Sequence, residues 1–251
     1  MEPRFFRVTL YSLLGVLGLS LGGFLPHPLL REGVFLVCCA LPALWEYAKK
    51  DVPLFSVLPK RALSSLLFLP LLLGVTVGIS ALTALLFPSL TPQTVPLSLL
   101  TVVTSALCPA VGEELLFRFV CLCLLLPYGR RFGVTVSALL FALFHQSLYQ
   151  MPYALAAGVV LALAAVYSQS LLVPIFLHFA NNLLSLLIGS YLTPLLVLLI
   201  VGAGTACGAV LYILNRKKES SPTSKESFSA LSLLPLLLYA VHCVLMAALK
   251  L

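Results

Sequence analysis

Apolar runs about as long as a lipid bilayer is thick follow one another along nearly the whole chain, and they leave it few ways to fold. A helix needs about 20 apolar residues to cross the hydrocarbon, and only structures that satisfy their own backbone hydrogen bonds persist there. Such runs lie near residues 8–25, 33–47, 62–87, 97–126, 133–149, 151–168, 171–189, 192–214 and 228–249. The second and fifth are short. The third and fourth are long enough to tilt or break, and Pro70 and Pro109 are where a missing N–H would kink them. The fold class is therefore all-α, a polytopic transmembrane helix bundle of eight or nine spans. Composition agrees: 61% of the 251 residues are hydrophobic and 9% charged, against about 25% charged in a soluble domain.

Charge placement sets an orientation. With the amino terminus cytoplasmic, twelve basic residues fall inside: Arg4, Arg7, Lys49, Lys50, Lys60, Arg61, Arg130, Arg131, Arg216, Lys217, Lys218 and Lys225. Only Arg31 and Lys250 fall outside, and Arg118 lies within a span. This is the bias that membrane insertion imposes. The net charge of +7 is thus spread over the ends of apolar runs, and no nucleic-acid partner is implied. The first run lacks an A-x-A cleavage site and is long enough to span. Residues 1–214 read as the transmembrane core, 215–227 as a flexible cytoplasmic linker and 228–251 as a last transmembrane helix, peripheral to the core. The seven cysteines form no C-x-x-C pair and read as small apolar filler.

Against this background three charges stand out within the run 97–126: Glu113, Glu114 and Arg118. A charge near the bilayer centre costs roughly 2.5–3.5 kcal/mol even on insertion scales. Glu114 and Arg118 are four apart with the acid first, the favourable order for an ion pair. Glu113 points about 100° away and is left to accept or hold a proton, as a general base does; charged glue between helices is the plainer reading. His145 follows Phe141 by one turn, which could wall its pocket; a structural histidine is the alternative. His178 and Asn182 share a face, so imidazole and amide can converge on a developing oxyanion or bond neighbouring helices. Asn181 is turned away and is second choice. By helical rise, Glu113 and His145 lie roughly 18–20 Å from the inner ends of their spans and His178 roughly 10 Å. One shared cavity therefore demands a tilted helix or boundaries moved by a turn. His27, His242 and Trp45 are assigned no catalytic part, Trp45 being placed as an interfacial anchor.

The three pieces, E-E-x-x-x-R at 113–118, F-x-x-x-H at 141–145 and H-x-x-x-N at 178–182, resemble the CPBP intramembrane protease family, which includes the type II CAAX prenyl endopeptidases and bacteriocin-processing (Abi) proteins. The likeness covers residues 97–190. It implies an intramembrane endopeptidase in which Glu113, assisted by His145, activates a water. It further implies that His178 and Asn182 stabilise the tetrahedral intermediate while Glu114, Arg118 and Phe141 order the site. The family is often labelled metalloprotease, and Glu113, His145 and His178 would be the zinc ligands if zinc is bound. The preferred reading requires no cofactor, because asparagine is a poor zinc ligand. The implied partners are the bilayer and a membrane-associated or lipidated peptide or protein, and the implied location is a bacterial cell membrane. A proton-coupled transporter using the same groups as a relay and a catalytically silent scaffold or bacteriocin-immunity protein are the alternatives.

Overall fold

A computed structural model describes residues 4–50, 61–91, 95–215 and 233–249. Every regular element among them is helical. The expected linker basics Arg216, Lys217, Lys218 and Lys225, together with Lys60, lie outside the described residues. The chain runs through α1 (Arg4–Gly22), α2 (Pro28–Lys49), a short α3 (Ala62–Ser65) and α4 (Phe68–Leu86). A broken helix follows, with α-helical pieces α5 (Leu99–Val102), α6 (Cys108–Glu114) and α7 (Cys123–Leu125). Then come α8 (Arg130–Phe144), α9 (Gln150–Ser168), α10 (Leu172–Ile188), α11 (Pro194–Asn215) and α12 (Leu233–Ala248). Among the described residues six stretches are long and apolar enough to cross a membrane: 4–22, 28–49, 63–86, 150–168, 172–191 and 194–214.

The other three expected spans differ for separable reasons. The run at 133–149 forms α8, which has 15 residues and stops at Phe144. The last run forms α12 with 16. The run at 97–126 is not one α-helix: π-helical stretches occupy Val103–Leu107 and Leu115–Leu122, on either side of α6. Pro109 accounts for the first of these. Lacking an N–H, it cannot close the α ladder, and the Cys108 N–H bonds back five residues to the Val103 carbonyl. Pro70 has a different effect from a mid-helix kink. It lies in the first turn of α4, after the chain has left α3 at Leu66 and Leu67.

The broken helix is the centre of the bundle. From Leu116 to Leu125 every side chain is buried, packed among α1, α2, α8 and α9. Leucines on α11 and α12 such as Leu195, Leu198, Leu234 and Leu237 are exposed, as a lipid-facing surface requires. Two glycines let α4 meet α11 at backbone distance: a Cβ on Gly74 would lie 3.0 Å from Gly204 Cα. Small residues at a crossing are the usual way membrane helices gain contact, since lipid removes the hydrophobic drive between them. His27 caps α2, its Nδ1 accepting from the Leu29 N–H at 3.2 Å.

A second charge pair holds α1 to α2. Arg7 Nη1 donates to Glu46 Oε2 at 2.6 Å, and Tyr11 Oη donates to Glu46 Oε1 at 2.6 Å. Glu46 is fully buried, whereas its neighbour Trp45 is exposed under the Lys49 ammonium. Replacing Glu46 by Leu should therefore cost about 3–5 kcal/mol, because it strips a buried guanidinium of this carboxylate. Replacing Arg7 by Met together with Glu46 by Leu should cost less than the single change. Unfolding of both variants in mixed micelles checks the order.

Candidate active site

Two glutamates that diverge on their helix are spanned by one histidine from another. Glu114 Oε1 lies 2.9 Å from His178 Nδ1, and Glu113 Oε2 lies 3.9 Å from His178 Nε2. The imidazole of α10 thus bridges the angle between adjacent carboxylates by offering each a different nitrogen. Glu114 also lies 3.1 Å from Arg118 Nε, the four-residue spacing of the sequence. The angle there is poor for a hydrogen bond, so the contact is chiefly an ion pair. His178 and Glu114 lie level in spite of the difference in depth computed for straight spans.

These contacts fix proton positions. Beside a guanidinium Glu114 is a carboxylate and can only accept, so His178 Nδ1 donates to it. The nitrogen facing Glu113 is then Nε2, which is an acceptor in the neutral ring. The carboxylates of Glu113 and Glu114 and the Arg118 guanidinium are all buried, so a proton entering this cluster has few groups that can carry it. Glu113 and His178 are the two groups placed to hold it, 3.9 Å apart. Glu113 Oε2 is buried and has no hydrogen-bond partner among the described residues. Glu32 on α2 and Tyr153 of α9 are both partly buried and lie within electrostatic reach of the Glu113 carboxylate. Sequence reasoning passed over both. Glu32 lies just before the run 33–47, one turn before the Phe35 ring that covers Gly112.

Phe141 is the organising ring. The Arg118 guanidinium lies 4.2 Å over its face, and the rings of His145 and His178 stand edgewise to it at 4.9 and 5.8 Å. His145 is the C-cap of α8 rather than a residue within a span. Its Nδ1 donates to the Phe141 carbonyl at 2.9 Å, because a carbonyl only accepts. In the neutral ring this leaves Nε2 as the hydrogen-bond acceptor.

Asn182 and His178 do not form the pair read from their spacing. His178 is held by Glu114, and half-buried Asn182 accepts from Asn181 Nδ2 at 3.4 Å. Asn181, second choice in the sequence, is the more buried and takes a hydrogen bond from Thr76 of α4 at 2.9 Å. Spacing fixed which face the residues share, but the carboxylate on the neighbouring helix decided the partner. Among the described residues no group of three or more His, Cys, Asp or Glu side chains is arranged to hold a metal ion. The set named for zinc has one histidine nitrogen committed to Glu114 and another to a backbone carbonyl.

Gly158 is a residue the sequence did not single out. Its carbonyl accepts from Arg118 Nη2 at 3.3 Å, and a Cβ there would meet Ala138 Cα at 3.0 Å and Phe141 Cδ1 at 3.2 Å. The run Ala154, Ala157, Gly158, Ala162 and Ala165 was its signal, a small-residue face that lets α9 close on α8. Gly158→Val should cost about 1–3 kcal/mol through overpacking and displace Phe141. Thermal unfolding should show Gly158→Ala to be milder.

Comparison with known proteins adds the family. Residues 95–184 match the model for type II CAAX prenyl endopeptidase Rce1-like proteins. No curated protein and no solved structure matches the chain. The matched stretch contains Glu113, Glu114, Arg118, Phe141, His145, His178 and Asn182. The match over residues 95–184 supports the likeness of the three motifs to the CPBP group.

Proposed function

We propose that the chain is an intramembrane endopeptidase that hydrolyses a peptide bond of a membrane-associated substrate, CAAX-protease-like in its chemistry. The observation that carries this reading is Glu113: a buried carboxylate oxygen without a hydrogen-bond partner among the described residues, 3.9 Å from an imidazole whose other nitrogen is anchored. Glu113 removes a proton from water as the oxygen adds to the substrate carbonyl, with the His145 Nε2 lone pair helping to orient that water. His178, which enters the step doubly protonated with the shared proton on Nε2 between two carboxylates, delivers that proton to the leaving amine as the carbon–nitrogen bond breaks. The proton that Glu113 took from water then passes to Nε2 and restores the starting state. The Asn182 amide is the donor for the tetrahedral oxyanion, a task for which a preset dipole is worth several kcal/mol. Glu114 and Arg118 hold the ring of His178 and keep the charge balance.

The same reading places the amino terminus in the cytoplasm and counts eight or nine passes. In it α8 and α12 cross as short spans and the broken helix as one more. The helices through α11 form the core and α12 the final pass, in a cell membrane of bacterial type. The substrate is a lipidated or otherwise membrane-bound peptide or protein. The transporter and scaffold alternatives gain no specific support from the geometry.

Glu113→Gln should fold as the wild type does and lose cleavage by a factor of about 10²–10⁴, the usual loss when a general base is removed. Comparing all peptide termini in cells carrying wild type or Glu113→Gln names the substrate, and cleavage at undiminished rate would refute the assignment. The mechanism also runs on protons alone. Activity should survive prolonged chelation with 1,10-phenanthroline; a loss restored by added zinc would overturn that part.

A further inference from the structure

The last helix reaches the histidine turn of the site. α12 packs against α1 and α8, and two of its polar side chains are used there. Tyr239 is fully buried and its hydroxyl donates to the Leu140 carbonyl, the residue before Phe141. The next carbonyl, that of Phe141, holds the ring of His145. One turn beyond Tyr239, His242 Nε2 lies 2.9 Å from Ser20 Oγ of α1, and Ser20 Oγ lies 3.3 Å from Gln146 Nε2. An amide nitrogen only donates, so Ser20 accepts from Gln146 and its own hydrogen can point to His242.

Gln146 is where the backbone needs holding. It has a left-handed φ of 49°, although it carries a side chain, and it is 2% exposed. Such a conformation persists only where the surroundings enforce it. It ends α8 directly after His145, whose N–H bonds to the Ala142 carbonyl at 3.3 Å. The turn that aims the His145 ring is thus clamped from the far side by α1 and α12. Sequence reasoning set α12 apart as peripheral because His242 was its single ionisable group; the structure uses that histidine and a tyrosine one turn earlier.

We propose that α12 is a positioning element of the site, fixing the orientation of His145 through Tyr239 on the Leu140 carbonyl and through the His242–Ser20–Gln146 hydrogen-bond chain. The catalytic part of His145 rests on the endopeptidase reading; its positioning by α12 does not. The chain has four histidines, so ring-¹⁵N histidine labelling of the full-length protein in lipid nanodiscs gives a spectrum simple enough to follow each ring. Ser20→Ala should shift the ring signals of both His242 and His145 and leave His178 in place, and Tyr239→Phe, which keeps the packed ring, should shift His145 alone. With a substrate identified, Ser20→Ala should lower kcat about tenfold to a hundredfold, as small misplacements do, with KM within about twofold. His242→Gln, whose amide oxygen can accept from Ser20, should restore most of it. Unchanged His145 signals in both Ser20→Ala and Tyr239→Phe would overturn the proposal. Shifted signals would sustain it even if wild type proved to have no peptidase activity, an outcome that would end the endopeptidase reading alone.

Discussion

The need to neutralise charge away from water governs the centre of this bundle. Glu114, Arg118 and His178 meet within 3.1 Å of one another through Glu114, and each is buried. No partner can be withdrawn without stranding the others in a medium where an isolated ion is very costly. That mutual dependence fixes α10 against the broken helix and sets the tautomer of His178. It leaves Glu113 as the group whose charge is not settled by a cation. The site is therefore a consequence of how the bundle balances its buried charges, and the one carboxylate left over is the group proposed as the base.

The interrupted helix makes the arrangement possible. A straight α-helix would carry Glu113 and Glu114 past the histidine at a fixed phase. Here π-helical turns before and after α6 change that phase locally, and π turns inside helices recur at functional positions. The surrounding helices then close tightly on this segment. Gly112 admits the Phe35 ring, and Gly158 admits Phe141 while giving its carbonyl to Arg118. Packing and chemistry share residues: Phe141 is at once the wall between α8 and α9 and the surface on which Arg118, His145 and His178 rest.

Much of this was legible in the chain itself. Apolar run length located the helices to within a few residues, and the four-residue spacing of Glu114 and Arg118 foretold a contact that needs nothing beyond one helix. What could not be read were partners chosen by tertiary packing. Asn182 lies on the face of His178, yet the histidine turns to a carboxylate 64 residues earlier. Glu46, next to the anchor Trp45, carries no motif of its own, yet it is buried against Arg7, 39 positions away. Ser20, Gln146 and His242 come from three distant segments and carry no motif. Pro109 announced a break, but its expression as a π turn depends on the helices around it.

A proton shared by Glu113 and His178, with Glu114 holding the opposite nitrogen, is the claim on which the proposed chemistry turns. The ring ¹⁵N shifts of His178 in lipid-embedded wild type and Glu113→Gln measure it most directly. Sharing predicts a large change at Nε2 on substitution while Nδ1 keeps its hydrogen-bonded value. An Nε2 signal indifferent to the loss of the Glu113 charge would contradict it.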